Sequence, residues 1–326
     1  MRFGKQMIIH TLQRTAMLLT LLLGFTNNTQ ALSTIEEIVN STRLIALGDI
    51  HGSEKPVNFL INTLKQPAIA NKIDNIVVEF GNAQYQALAD DYLLKGVYVA
   101  PETLRQIWRN TLYFMAWQTP QYQRLIEFLR YHNATRAHKI RLVLADPAFD
   151  WATIRRDEWE TLTVTREDTY QNMVESEVLE KHQTAILLFG AFHQLKRPLK
   201  LQGKPDVFNS LVSRLVQSGT NVITLWPHMG AALDTTRYQA PTLIDLGHDP
   251  FGQQRLSDLS DRFLSDQPLS YIADYYLYQG ADPRDAKPAA NNTTDKAWHA
   301  EMARRARLIG GRVESQVNNW LTRHAH

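Results

Sequence analysis

An α/β fold built on a mostly parallel central sheet, with flanking helices and helical insertions over the carboxyl ends of the strands, is predicted by three observations. Apolar runs of strand length alternate with longer stretches of helical periodicity. Two of those runs end in the same device: Leu44-Ile45-Ala46-Leu47 stops at Gly48-Asp49-Ile50-His51, and Ala185-Ile186-Leu187-Leu188-Phe189 stops at Gly190-Ala191-Phe192-His193. A third run, Ile76-Val77-Val78, delivers Glu79 with Gly81 close behind. Open α/β sheets bind ligands just beyond the carboxyl ends of their strands, so side chains delivered there are expected to share one cleft.

The elements follow in order. Arg2, Lys5 and Arg14 precede the apolar core Ala16 to Phe25, and a polar stretch then leads to Thr29-Gln30-Ala31. A basic start, an apolar core too short for a mature span and small residues before a cut predict a secretory signal over 1–31, an uncleaved anchor being the alternative. Strands are expected at 43–49, 75–81, 139–146, 185–191 and 221–227, with weaker ones near 242–247 and 271–278. Between the first two, Val57, Leu60, Ile61 and Leu64 recur at helical spacing after the candidate N-cap Ser53, which places His51 at a strand-to-helix turn. Residues 83–133 are too long for one crossover helix and carry Trp108, Tyr113, Phe114, Trp117, Tyr122, Phe128 and Tyr131, so they read as a helical insertion roofing the strand ends. Most of these rings are expected to be core.

A second insertion, 150–182, is dense in charge, and with Met173-Val174 and Val178-Leu179 as its apolar face most of that charge is expected on solvated surface. Residues 281–326 read as a linker followed by one amphipathic C-terminal helix docked on the α/β domain of 32–280, its pattern weakened by Gly310-Gly311.

Composition excludes several function classes. The chain has 326 residues, 44% hydrophobic and 21% charged, which is globular material. Loss of Arg2, Lys5 and Arg14 with the signal takes Lys plus Arg from 35 to 32, against 33 acidic residues. The overall basic balance is therefore no nucleic-acid footprint, and no membrane span is expected after signal removal. Cysteine is absent, which rules out disulfides, thiolate metal sites, cysteine nucleophiles and a lipid-modified cysteine. Export to a periplasm, in preference to full secretion, is the expected localisation. No Gly-x-Ser-x-Gly, His-Glu-x-x-His, Gly-x-Gly-x-x-Gly or Walker pattern occurs.

Chemistry is therefore sought in His51, His193 and their carboxylates. A neutral imidazole takes a proton from water while a carboxylate behind it fixes the tautomer and steadies the cation. His51, Glu79 and His193 could instead hold a divalent metal and leave positions open for water and substrate. Sequence alone leaves both open. Asp49 either faces the cavity with His51 or caps the next helix, and Asp146, at the end of Ile140-Arg141-Leu142-Val143-Leu144, either joins the site or caps a turn. Glu79, directly after an apolar run, needs a charged or hydrogen-bonded partner. His228, after Leu225-Trp226-Pro227, is placed to rim the same cleft. His132, His138, His182, His299, His324 and His326 stand in polar contexts and are expected at the surface.

In their order these residues resemble the superfamily that joins erythromycin esterases, ChaN-like haem-binding uptake proteins and the Tiki/TraB proteins: Gly48 to His51, then Glu79 in Val77-Val78-Glu79-Phe80, then Gly190 to His193. Trp117, Leu125 to Asn133, Ile140-Arg141 leading to Asp146, and Arg166-Glu167-Asp168 before Met173-Val174 resemble the esterase side. The likeness covers roughly 40–280. Aspartate stands at position 49 where glutamate is usual, and the one-residue gap to His51 is closer to the ChaN-like form. The resemblance implies an exported hydrolase of an ester or related bond in a fairly large, apolar small molecule. His51 would be the base on water, with Asp49 and Glu79 sharing or orienting the proton. His193 would polarise the carbonyl or protonate the leaving group, and Arg166 would face the oxyanion. Trp117, Asp146, His228 and Tyr276 are the expected substrate contacts. The alternatives are a non-catalytic binder of haem or iron, with Tyr113, Tyr275, Tyr276 or Tyr278 as ligand, and a metal-dependent peptidase.

Overall fold

In a computed structural model of the chain, residues 30–280 and 287–324 are described. The predicted signal core and the segment 281–286 lie outside those residues. The described chain opens on helix α1 (30–41) and enters strand β1 (Leu44–Asp49). Helix α2 (Lys55–Leu64), β2 (Asn75–Asn82), a run of short helical turns, α3 (Gln121–Thr135) and β3 (Arg141–Asp146) follow. Then come α4 (Arg156–Val174), β4 (Ala185–Gly190), a small hairpin of β5 (Leu199–Lys200) and β6 (Val207–Phe208), and α5 (Leu211–Gln217). The chain continues through β7 (Val222–Pro227), β8 (Thr242–Asp245) and β9 (Tyr275–Tyr278) to α6 (Lys296–Ile309) and α7 (Gly311–His324).

Seven strands form one sheet in the order β3-β2-β4-β1-β7-β9-β8, and only the edge strand β8 runs antiparallel. Helices cover both faces, which is why the inner strands read as unbroken apolar runs. Successive side chains along a strand point to opposite faces. Ile45 and Leu47 pack with Ile35, Val57, Leu60 and Leu125 on one side, while Leu44 and Ala46 pack with Tyr170, Val174, Leu211 and Leu215 on the other. Among the described residues no helix is long and apolar enough to cross a membrane.

The expected strands are present within a few residues of their predicted ends. Two expectations are corrected. Helix α2 is capped at Glu54, one residue later than expected, although Ser53 Oγ still accepts from Lys55 N at 3.2 Å. The single C-terminal helix is two, because Gly310 and Gly311 both adopt positive φ, 74° and 58°, and break it. The hairpin β5–β6 was not foreseen. In the C-terminal pair, Trp298, Met302, Ala306 and Val317 bury against Leu112, Phe114, Trp151 and Trp159.

Candidate active site

The site forms where β1, β4 and β2 end side by side, with Asp49 in register with Gly190. After β1 the chain must turn sharply. Gly52 takes φ 86°, and Ser53 N–H closes the turn on Ile50 O at 2.8 Å. Gly48 is required for another reason: a Cβ there would lie 2.5 Å from Pro227 Cδ on β7. The turn folds His51 back so that Nδ1 donates to Asp49 Oδ2 at 3.1 Å. Tyr122 from α3 donates to the same oxygen at 2.8 Å, and the Trp117 ring meets the His51 ring edge-on with centroids 4.5 Å apart. Trp117 is itself fixed by its indole N–H on Thr111 Oγ1 at 2.9 Å. The His51 side chain is 32% exposed, and Nε2 makes no hydrogen bond among the described residues. Burial works against a charged ring here, but the Asp49 hydrogen bond and the Glu79 charge outweigh it and raise the His51 pKa above its ordinary value.

After β4 a short helical turn, Ala191–Gln194, aims His193 inward. Its Nδ1 meets Glu167 Oε1 at 2.5 Å and its Nε2 meets Glu79 Oε1 at 3.3 Å. Two carboxylates flanking one ring favour its doubly protonated, charged form. Burial opposes that charge, and Glu167 and Glu79 override it, lifting the pKa to about 9. The other Glu79 oxygen accepts from Gly190 N–H at 2.7 Å, and despite burial His193 holds Glu79 well below the usual carboxylate range. Glu167 is anchored by Leu211 N–H at the start of α5, 2.8 Å away. A Cβ at Gly190 would sit 3.2 Å from Glu79 Oε2 and equally close to His51 Nε2, which shows how tightly the two side chains converge there.

Arg166, beside Glu167 on α4, lies among Glu79, Glu167, Asp146 and Tyr170, and their charges keep it cationic although burial works against it. Its guanidinium makes no hydrogen bond among the described residues, only a long ion pair of 3.8 Å to Glu167. The fully buried Asp146 carboxyl has its pKa driven up by burial, although Leu112 N–H donates to it at 2.7 Å. Tyr170 approaches its other oxygen at 3.4 Å.

The structure therefore brings together Asp49, His51, Glu79, His193 and Arg166, with Trp117 and Asp146 around them. It does not bring His228 and Tyr276 into that group. His228 Nδ1 and the Tyr276 hydroxyl bond each other at 2.7 Å, and the Tyr276 ring is buried against Phe251. Tyr278 is buried beside His228, and Tyr275 lies on β9 in register with Leu225 on one side and Asp245 on the other. Asp146 caps no helix; it pins the loop at Leu112 instead. His132, expected at the surface, is buried.

Among the described residues no three His, Asp or Glu side chains are arranged to hold a metal ion. His51, Glu79 and His193 do not fit as ligands, because both His193 nitrogens are committed to carboxylates and one Glu79 oxygen is taken by a backbone N–H.

Sequence reasoning missed Tyr122 as a site residue, noted Glu167 within the esterase-like Arg166-Glu167-Asp168 without a role in the site, and gave Tyr170 no role. A signal existed: Glu167, Tyr170 and Val174 fall at spacings of three and four, so one carboxylate stands in the apolar stripe of α4.

No family model and no curated protein matches the chain. Solved structures do. A mutant of the erythromycin esterase EreC in its open conformation aligns with a TM-score of 0.52 at 11% identity, over 75% of this chain and 92% of that one. A succinoglycan biosynthesis protein gives 0.51 at 11%, over 79% and 91%, and a Bacillus cereus protein gives 0.51 at 12%, over 81% and 94%. At such identities the likeness is one of fold.

Proposed function

We propose that the chain is a hydrolase of an ester or related bond in a small, fairly apolar molecule, with water activated by the Asp49–His51 pair. The observation that carries this reading is the contrast between the two histidines. His193 has both nitrogens against carboxylates, whereas His51 has one nitrogen held and the other without a hydrogen-bond partner among the described residues. The base is therefore His51. Its Nε2 takes a proton from water, Asp49 fixes the tautomer, and the imidazolium that forms is steadied by Asp49 and Glu79. The new hydroxide oxygen bonds to the carbonyl carbon, and the oxyanion that develops is met by the Arg166 guanidinium, whose donors are uncommitted. As the intermediate collapses, His51 returns its proton to the leaving oxygen. His193 works by charge, holding Glu79 ionised beside His51. The fold likeness to an erythromycin esterase supports the reaction class, and the buried Trp117 and Tyr122 hold the His51–Asp49 pair in place from behind.

A panel of aryl and macrocyclic esters tests the reading. Turnover should survive chelator treatment and fall about 100-fold or more in His51→Ala, the size expected for a lost general base. Retained turnover in His51→Ala overturns the mechanism, and loss on chelation overturns its independence of metal.

A further inference from the structure

We propose that the Tyr122 hydroxyl is a positioning group that sets the basicity of His51, by taking part of the Asp49 charge that would otherwise act on the imidazole alone. It rests on the reading of His51 as the base of the proposed hydrolysis. Helix α3 grips the His51 turn at both ends. Gln121, its first residue, donates through Nε2 to Ser53 O at 3.1 Å, and Tyr122, its second, donates to Asp49 Oδ2 at 2.8 Å. Arg124 extends the grip to Glu54 Oε2 at 2.8 Å. The Tyr122 contact adds something electrical to this. Asp49 is 3% exposed, and its two oxygens are used unequally. Oδ2 accepts from His51 Nδ1 at 3.1 Å as well as from Tyr122, whereas Oδ1 has no hydrogen-bond partner among the described residues. Two donors therefore compete for one oxygen, and the phenol holds the shorter bond.

A hydroxyl bonded to an ionised carboxylate reduces the negative potential which that carboxylate presents to its other partner. Tyr122 does this without losing its own proton, because burial and the neighbouring Asp49 charge push its pKa well up. Its ring is wedged between Phe80 and Trp117, with centroids 4.9 and 5.1 Å away, so the hydroxyl is held on its acceptor. The other charges facing His51 come from Glu79 on β2, which raises its pKa, and from His193 after β4, which lowers it. Removing the hydroxyl leaves Asp49 Oδ2 to His51 alone, and the ring then holds its proton more tightly. A turn that merely loosened would do the opposite, since an imidazole drawn away from Asp49 gives up its proton more easily. The hydroxyl thus keeps the base free of its proton closer to neutral pH.

NMR titration of the histidine rings of the full chain tests this without any substrate, the His51 signals being assigned by their loss in His51→Gln. Tyr122→Phe should raise the His51 midpoint by about half a pH unit or more and move its Nδ1 proton downfield. Site-specific 3-fluorotyrosine at position 122, a stronger donor, should lower the midpoint. Arg124→Met, which frees the same helix from Glu54 without touching Asp49, should leave it unchanged. A midpoint that falls or stays in Tyr122→Phe, or that rises equally in Arg124→Met, overturns the proposal. Should Tyr122→Phe fail to fold, the fluorotyrosine chain decides, and an unmoved or raised midpoint there overturns it. Since no ester enters the measurement, midpoints that move as stated in a chain without ester turnover support the role of Tyr122 and count against the hydrolysis alone.

Discussion

His51 and His193 are chemically the same residue put to different uses by their partners. His193 sits between two carboxylates with its pKa lifted from 6.5 to about 9. Its contribution to stability is complete below pH 6.5 and is lost as pH rises through 9. Glu79 is displaced in the other direction, so its contribution holds above its ordinary 4.5 and disappears only in strong acid. Denaturant midpoints should therefore decline between pH 6.5 and 9 in the native chain and decline less over that window in His193→Gln, where His51 alone still titrates; an equal decline in both would show that the His193 imidazolium is not a cause. Activity should follow a bell. The acid limb belongs to His51, which must be neutral to act and titrates above 6.5, and the alkaline limb, near 9, to His193. An acid limb at or below 6.5 would contradict the assignment of His51 as base.

The two Gly-x-x-His turns look alike in sequence, yet their glycines serve different ends. Gly48 makes room for Pro227 on the neighbouring strand, whereas Gly190 makes room for the His51 and Glu79 side chains. Gly48→Ala should cost about 1–3 kcal/mol of stability through overpacking. Gly190→Ala should leave the melting temperature nearly intact and lower turnover at least tenfold; equal melting losses in both variants would sink the distinction. The strands were legible because a sheet covered on both faces writes each inner strand as a continuous apolar run, as in Ala185 to Phe189. The β5–β6 hairpin was not, since two residues per strand carry no period. His51, Glu79 and His193 were legible from the strand ends that deliver them. Glu167 and Tyr122 were not, because each comes from a helix in a distant insertion and reaches the site only by packing. The depth of His228 and Tyr276 was likewise invisible, because a strand end marks a position along the sheet and not what lies over it.

At the scale of the molecule, the C-terminal helices help to build the roof over the site. Arg305 on α6 is 4% exposed, faces the rings of Phe114, Trp151 and Trp298, and bonds Arg109 O and Asn110 Oδ1 at 2.5 and 2.6 Å. The residues that follow, Thr111 and Leu112, hold Trp117 and Asp146. Arg305→Met should leave two part-buried acceptors without their partner, at about 1 kcal/mol each, and lower the melting temperature by a few degrees. Arg305→Lys should recover little of it, lacking the planar fork; melting unchanged in both would mean that α6 is no anchor. The adjacency of β2, β4 and β1 has a further consequence. Glu79, His193 and His51 are dealt out one per strand, so their gauge is the interstrand repeat of about 4.8 Å, a constant of the peptide group that no substitution can rescale. Divergence toward new substrates must then be written in the cover, where loop lengths are free to drift, and the ruler underneath stays common to every descendant.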